Sequence, residues 1–507
     1  MKWIIAIAGL LLLTGPLNAQ TYAARTDLNN QPYPTTIPCP GLSCTGGGAL
    51  NGANFSLTPT DFNTKIIRVT DASYSAFVGN SKSFAIDASA EVNPWNTTSN
   101  RFWVVTGGGG YVVHIWNSST MQATPMYGGV EMGTPTVAPW WSFTQQYILY
   151  SVESSTGTHN ASIYSYDFSS TSVMPTRQLV VDLTTCAPAM AGLGVPAAPN
   201  FSVSADDQTF LTTLGTNTTT GNIYVVVWNR SLGCRLYVTN TGAITGSYGG
   251  SPTGTINVDD HYWLHNAHIS MDGNWVRVDI GQCTAGSCES PPADQSNDVY
   301  YWQINSLTVN VVRFSSTVAA GGHQAAGFTH AVNGGQINNT DPNMVVAYRP
   351  FSNVNTVTDL PVGLNAPTCG GCSTHYAWVN DKPGDTTPFL NTAIVPGTFT
   401  PTAPWQSEIT AYATDTSGTV WRFAHNFCTG QSQFFTAEYC IGSVSQDGNW
   451  FIWSSDWDGM LGNTDGVTAS CTIGTNCRAD VFIVPLSTGT GGAGPPPPPT
   501  NLQVKTK

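Results

Sequence analysis

The chain has 507 residues and a formal net charge of −13 at pH 7. Only 9% of its residues are charged, whereas charged residues make up about 25% of an ordinary globular protein. An acidic surface of this kind repels nucleic acid and anionic membranes, and the sequence contains no cluster of Lys or Arg that would oppose this. We therefore expect no nucleic-acid partner.

Residues 1–19 have the pattern of a secretory signal peptide. Lys2 precedes an apolar run that ends at Leu13, and the small residue Ala19 precedes the expected cleavage point. The apolar run is too short to cross a bilayer, and no later segment is long and apolar enough. We therefore expect an exported protein, secreted or periplasmic, without a membrane span.

The chain contains twelve cysteines, all of them after this segment. An even number in an exported protein favours disulfides that staple loops. The expected pairs are Cys39–Cys44, Cys186–Cys234, Cys283–Cys288, Cys369–Cys372, Cys428–Cys440 and Cys471–Cys477. A redox or metal motif is the alternative at Cys369-Gly-Gly-Cys372, but a second C-x-x-C and a directly following His are both missing.

After a Pro-, Thr-, Asn- and Gly-rich segment at 20–60, which we expect to wrap the next domain, the sequence predicts an all-β domain at 61–487. Helical periodicity is nearly absent, and short runs rich in Val, Ile, Tyr and Trp are separated by Gly, Asn, Asp and Pro. Seven units with one common order of strands and turns begin near Ala90, Pro139, Pro199, His265, His323, His375 and Cys440. A four-stranded unit cannot bury both of its faces alone, but neighbours in a ring can. We therefore predict a seven-bladed β-propeller, with two packed β-sandwiches as the alternative.

Both ends of this domain carry further signals. Residues 65–69 read as an isolated strand, which could pair with residues 481–484 in the last unit, close the ring and leave no open edge. Residues 488–507 are rich in Gly and Pro, which predicts a disordered linker and tail.

The phrase Ser-x-Asp-Gly-x-Trp begins at Ser270 and at Ser445, and a weaker copy begins at Ser204. Asp followed by Gly is typical of a tight turn. The phrase resembles the blade signature of TolB-type propellers, in which Asp and Gly form the turn between the first two strands. It also partly resembles the Asp-box of sialidase propellers, with a different Gly spacing. The resemblance implies the fold of residues 60–487 but no particular function.

Histidines gather at the predicted entries to the innermost strands, where propellers bind ligands over the central channel. Six of the nine lie there or close by, namely His261, His265, His268, His323, His330 and His375. Neutral imidazoles from adjacent blades can bind a divalent metal ion, and Asp259 or Asp260 could complete its coordination. The predicted metal ligands are His265, His268, His323 and Gln324. Alternatively, each His forms a hydrogen bond with the backbone of the neighbouring blade.

Aromatic residues near the same entries suit the flat faces of sugars, whose hydroxyl groups would contact nearby polar side chains. The alternative is that these rings pack between blades. The predicted ligand-binding residues are His265, His268, His323, His375, Trp95, Tyr376 and Arg349. In carrying His and Gln at blade entries, the chain is similar to oligogalacturonate lyases. That resemblance implies a metal ion over the channel, but the spacing of their ligands is not matched.

Three functions follow from these patterns. The first is binding of an extracellular ligand, a glycan or another cell-surface partner, by a monomeric propeller. The second is a metal-assisted polysaccharide lyase, in which the metal ion or an arginine such as Arg277 or Arg349 offsets a uronate carboxylate. The third is a surface module for protein interaction. Asp456 and Asp458 additionally fit either a calcium site or a plain Asp/Gly turn.

Overall fold

The computed structural model describes the domain that the sequence predicts. The described residues are 52–59, 62–73, 82–86, 92–132, 138–154, 161–186, 200–215, 223–239, 241–256, 264–280, 299–312, 324–335, 345–354, 356, 358–361, 373–394, 407–415, 417, 419–429, 440–472 and 475–486. They form seven separate sheets, each with antiparallel neighbours, and each sheet is one blade. The predicted leader, the tail at 488–507 and the cysteine pairs at 39/44, 283/288 and 369/372 lie outside these residues.

In blades 1 to 6 the strands are hydrogen-bonded in chain order, so each blade is a meander. Blade 1 contains β3 (Phe84–Ala85), β4 (Arg101–Thr106), β5 (Tyr111–Asn117) and β6 (Gln122–Pro125). Blade 2 contains β7 (Trp140–Trp141), β8 (Ile148–Ser154), β9 (Ala161–Asp167) and β10 (Gln178–Asp182). Blade 3 contains β11 (Phe201–Val203), β12 (Thr209–Gly215), β13 (Ile223–Asn229), β14 (Gly233–Val238), β15 (Ala243–Thr245) and β16 (Gly254–Thr255).

The remaining blades follow the same plan. Blade 4 contains β17 (Leu264–Ile269), β18 (Trp275–Ile280), β19 (Val299–Gln303) and β20 (Val309–Val312). Blade 5 contains β21 (Gln324–Ala326), β22 (His330–Gly335), β23 (Val345–Pro350) and β24 (Thr358–Pro361). Blade 6 contains β25 (Ser373–Ala377), β26 (Phe389–Ile394), β27 (Glu408–Tyr412) and β28 (Val420–His425). The first strands of neighbouring blades contact one another, as β7 does with β11 and β25 with β29 (Gly442–Val444), so the first strand of each blade is its innermost strand.

Blade 7 closes the ring with strands from both ends of the domain. Its order is β1 (Ser56–Leu57), β2 (Ile66–Arg68), β31 (Asp480–Pro485), β30 (Trp450–Ser455) and β29. Ile67 lies opposite Ile483, and Arg68 lies opposite Phe482. The predicted closure by an N-terminal strand is therefore confirmed. Because β1 also belongs to this sheet, the propeller begins before residue 61.

The core lies between blades. All six residues of β4 and all six of β30 are buried, because each blade is covered on both faces by its neighbours. One apolar cluster contains Ile67, Trp103 and Trp141, which come from blades 7, 1 and 2. Packing across the blade boundaries therefore unites the sheets, and the continuous runs of Val, Ile and Trp in the sequence reflect this two-sided burial.

The Ser-x-Asp-Gly-x-Trp phrase forms the turn after the innermost strand. In blade 4, the Ser270 hydroxyl donates to Asp272 Oδ1 (2.5 Å) and accepts from the Trp275 N–H (3.0 Å). Gly273 has φ +72°, a conformation that favours glycine. Blade 7 repeats this geometry, since Ser445 accepts from the Trp450 N–H at 3.0 Å. The phrase therefore has a structural role in the turns.

Three of the predicted disulfides lie in the described part of the chain and are present, Cys186–Cys234, Cys428–Cys440 and Cys471–Cys477. The first connects the segment after β10 to β14 and so joins blades 2 and 3. The second joins the end of blade 6 to the start of blade 7. Within the described ranges, no helix has the length and apolar character needed to span a bilayer.

Candidate functional site

A cavity that is continuous with solvent lies at the centre of the ring. Its wall comes from blades 1, 2, 4, 5, 6 and 7. In blade 4 the lining residues His268 and Ile269 are the last two of β17, and Met271 belongs to the turn that follows. The cavity therefore lies at the turn end of the innermost strands.

The sequence predicted a ligand at the other end of the channel, over the loops that enter the innermost strands. Those loops, at 187–199, 257–263, 313–323, 362–372 and 430–439, lie outside the described residues. The entry-face site stays a prediction. The cavity at the turn end was not predicted, and it is the site that the described residues define.

Two indole rings, those of Trp140 and Trp378, belong to the aromatic part of the cavity wall, together with Phe143 and Tyr376. Trp140 contacts His268 with ring centroids 6.1 Å apart and Phe143 with centroids 6.2 Å apart. Trp140 belongs to blade 2 and His268 to blade 4. Their rings therefore meet in front of the inner end of blade 3 and occupy that part of the channel. Trp378, on the blade 6 side, donates from Nε1 to the Thr387 carbonyl at 2.8 Å, which fixes its ring.

Side-chain amides form the polar part of the wall, and each is oriented by hydrogen bonds to a neighbouring blade. Gln446 Nε2 donates to Asn93 Oδ1 (2.7 Å), and Asn93 Nδ2 donates to the Trp141 carbonyl (3.0 Å). Asn380 Oδ1 accepts from the Phe328 N–H at 2.6 Å. The amides are therefore held in place before any ligand arrives, which lowers the entropic cost of binding.

Among the described residues that line the cavity, one carries a carboxyl group and none is Lys or Arg. The carboxyl belongs to Asp381, which is partly buried in the turn after Asn380. Burial raises the pKa of Asp381 above its ordinary value, although the adjacent Lys382 acts in the opposite direction. The cavity is consequently apolar, amide-rich and weakly acidic.

His268 reaches the cavity as a neutral imidazole. It is 2% exposed, and burial, followed by the charge of Arg277, lowers its pKa well below the ordinary value. Arg277 lies opposite His268 on β18, and its guanidinium pairs with Asp279 (2.9 Å) behind the cavity wall. Arg277, one of the arginines that the lyase hypothesis offered besides a metal ion, is therefore already engaged in a buried ion pair.

Of the other predicted ligand-binding residues whose side chains the structure describes, Tyr376 lines the cavity and is fully buried. Trp95 packs on Phe102 in the apolar core between blades, with ring centroids 4.8 Å apart. Arg349 lies on β23, the third strand of blade 5, where it is 3% exposed and donates to the Val354 carbonyl (3.0 Å). Neither Trp95 nor Arg349 is part of the cavity wall.

The predicted metal site stays a prediction. His265, Gln324 and His375 lie in the innermost strands β17, β21 and β25, and His323 lies outside the described residues. His265 and Gln324 occupy the entry ends of their strands, whereas His268 lies near the turn end. Among the described residues, no group of three or more His, Cys, Asp or Glu side chains is arranged to bind a metal ion.

Sequence reasoning missed five polar residues of the wall, Asn93, Asn380, Asp381, Ser443 and Gln446. A usable signal was present for Gln446, which is the second residue of the phrase that begins at Ser445. The equivalent residue of the blade 4 phrase, Met271, also lines the cavity. In these two copies the second residue of the phrase therefore lines the cavity. The Ser, Asp and Gly that both copies share build the turn.

Asp456 and Asp458 lie apart from the cavity, where β30 ends. The Asp456 carboxyl is buried and accepts from the Thr429 N–H (2.9 Å) and the Thr429 hydroxyl. Burial raises the pKa of Asp456 from 3.8 to about 6. Burial and the nearby Asp456 also raise the pKa of Asp458 to about 6. In this structure Asp456 ties blade 7 to the segment that follows blade 6.

This pair makes stability depend on pH. The folded state favours the protonated form of Asp456. The stability that this preference contributes is therefore fully present below pH 3.8 and is lost as pH rises through about 6. The free energy of unfolding of Asp456→Asn, taken relative to that of the wild type, should therefore rise by up to about 3 kcal/mol between pH 4 and pH 7. Urea unfolding at pH 4, 5, 6 and 7 measures the difference. Asp415→Asn is a control of opposite sign, because Ser417 lowers the pKa of Asp415. An unchanged pH dependence in Asp456→Asn would contradict this assignment.

Comparisons with known proteins add a general likeness. No protein-family model matches the chain, and no curated protein matches it. Among solved structures, TolB from Acinetobacter baumannii is similar over 59% of this chain and 62% of its own length, with 15% identity and a TM-score of 0.30. Hydrazine synthase from Kuenenia stuttgartiensis is 12% identical over 72% of this chain and 91% of its own, with a TM-score of 0.38.

A third similar structure is the Dos1 propeller, 10% identical over 80% of this chain and 94% of its own, with a TM-score of 0.38. At such low identity and TM-score, none of these structures informs the function of this chain. The seven-bladed propeller is instead established by the strand order of its sheets.

Proposed function

We propose that this protein is an exported propeller that binds a carbohydrate in the central cavity. The observation that carries the proposal is the combination of two indoles with three oriented amides around one cavity. Sugars present C–H groups that pack on aromatic rings and hydroxyl groups that bond to amides. The three disulfides are compatible with an oxidising compartment outside the cytosol.

Binding is favoured over lyase chemistry by the charge of the wall. A uronate carboxylate needs a nearby cation, and no Lys or Arg side chain is found in the part of the cavity wall that the structure describes. Arg277 is engaged by Asp279, and Arg349 lies in the third strand of blade 5. A neutral or basic saccharide therefore fits this wall better than an acidic one.

The proposal can be tested with a conservative change of Gln446. After an oligosaccharide array has identified a binding glycan, Gln446→Met should weaken its affinity about tenfold, because one amide hydrogen bond is lost. Methionine is tolerated at this turn position, since Met271 occupies it in blade 4. Isothermal titration calorimetry provides the measurement.

Asn449→Gln is the matched control, because Asn449 lies in the same turn and is not part of the cavity wall. The weaker copy of the phrase carries Gln208 after its Asp pair, so glutamine fits that turn. Affinity in this variant should equal that of the wild type. The proposal fails if no glycan binds to the wild type or if Gln446→Met binds as tightly as the control.

A further inference from the structure

We infer that the carbohydrate in this cavity carries a free amino group, which the Asp381 carboxylate binds as an ammonium ion. This inference rests on the proposed function and narrows its ligand class to basic sugars. It starts from the position of Asp381, which carries the one carboxyl group among the described residues of a wall that is mostly aromatic, aliphatic or amide.

Asp381 lines the cavity at the turn that follows Asn380. The chain turns after Asp381, and the Asp385 N–H donates to the Lys382 carbonyl at 3.3 Å. This turn places Lys382 in an exposed position and leaves Asp381 partly buried. No described side chain forms an ion pair with Asp381, whereas five of the described arginines are paired with other carboxylates. A partly buried carboxylate that no described cation contacts directly is a poor arrangement unless a ligand supplies the charge.

The groups around Asp381 favour a cation over a neutral ligand. Trp140 and Trp378 line the same cavity, and indole rings attract ammonium groups through their quadrupoles. His268 is neutral because burial lowers its pKa, so it does not compete as a cation. Lys382 is exposed, and Asp385 lies in the same turn and adds negative potential near Asp381. Net charge at this end of the cavity is therefore negative or zero before the ligand binds.

The same contacts discriminate between related sugars. An N-acetylated or purely hydroxylated sugar offers hydrogen bonds to Asp381 but no charge, and binding would still remove water from the carboxylate. An ammonium group compensates that loss and gains a charge-assisted hydrogen bond. We therefore expect a preference of at least about tenfold for the amino sugar, since a hydrogen bond to a charged group contributes about 1.5–3 kcal/mol.

Calorimetric titration of the full chain at pH 6 tests this preference. The probes are β-1,4-linked trimers of glucosamine, N-acetylglucosamine and glucose, together with trilysine as an amine without a sugar. The glucosamine trimer should bind most tightly, and raising the salt concentration should weaken its binding more than that of the neutral trimers. Asp381→Asn should abolish the preference. Asp415→Asn, which removes a carboxylate from an exposed turn of the same blade away from the cavity wall, should retain it.

The outcomes separate this inference from the proposed function. If the neutral trimers bind as tightly as the glucosamine trimer, or if Asp381→Asn keeps the preference, the amino group is not recognised although the cavity still binds carbohydrate. If trilysine binds as tightly as the glucosamine trimer, the site recognises amines rather than sugars. If none of the saccharides binds here and the oligosaccharide array is also blank, the proposed function itself is wrong.

Discussion

Asp480→Asn is expected to lower the free energy of unfolding by about 3–5 kcal/mol, the cost of breaking a buried ion pair on one side. Asp480 is fully buried at the start of β31, and its Oδ2 accepts from Arg68 Nε at 2.8 Å. Arg478, also fully buried, donates to the same oxygen. Neutralising Asp480 would leave two buried guanidinium groups without their anion.

The effect should be large because this cluster joins the two ends of the domain. Arg68 belongs to β2 and lies 412 residues before Asp480. The Thr70 hydroxyl donates to Asp480 Oδ1 at 3.1 Å, which adds a second contact from the N-terminal segment. Loss of the charge should therefore loosen the closing strands first.

Urea unfolding, followed by tryptophan fluorescence, measures the change in stability. Asp465→Asn is the matched control, because Asp465 lies in an exposed turn of the same blade and has no ion pair in the described structure. The control should unfold close to the wild-type midpoint. A loss of less than about 1 kcal/mol in Asp480→Asn, the scale of an exposed ion pair, would show that the cluster does not hold the ring closed.

Asp207→Gly is expected to destabilise the protein by about 2–3 kcal/mol, although it restores the residue that the turn sequence favours. Asp207 stands where the other two copies of the phrase have glycine, and it has φ +57°. Glycine would relieve about 1 kcal/mol of backbone strain there. The expected loss is larger because the buried Asp207 carboxylate links blade 3 to blade 2.

Four donors reach that carboxylate. The N–H groups of Phe143 (3.0 Å) and Thr144 (3.2 Å) donate to it, as do the hydroxyl groups of Ser142 and Thr144. Since Phe143 lines the cavity, losing these bonds should weaken glycan binding as well as stability. A substitution at Asp207 in blade 3 would thus affect the cavity through Phe143 in blade 2.

Asp207→Asn separates the two effects, because asparagine tolerates a positive φ and keeps part of the hydrogen bonding. Its loss of stability should lie between those of the wild type and Asp207→Gly. Urea unfolding and calorimetric titration on all three proteins give the comparison. A Gly variant that is more stable than the wild type would mean that backbone strain outweighs the link between the blades.

The fold was largely predictable because its signals are local. The turn phrase at Ser270 and Ser445 marks the end of an innermost strand, and the short apolar runs between turns mark the strands. No other strand was predicted near the isolated strand at 65–69, so pairing with the last unit was the simplest prediction. These inferences needed only turn chemistry and strand patterning.

The site was less predictable because its residues meet only in the ring. Gln446 bonds to Asn93, 353 residues away, and no local pattern announces such a contact. Trp140 fills the sector in front of blade 3, and that depends on the size of side chains in blades 2, 3 and 4 together. The histidine pattern located the innermost strands well, but it did not show that His268 lies at the turn end while His265 and Gln324 lie at the entry end.

The closing blade also constrains when this protein can finish folding. Its sheet pairs β2 with β31, so one edge of β2 stays unpaired until Ile483 has been synthesised. Contacts this far apart in sequence slow folding, because a long loop must close before the contact forms. During that interval β1 and β2 would expose a hydrogen-bonding edge, which is a template for intermolecular pairing. A chain shortened before β31 should therefore aggregate rather than form a six-bladed ring.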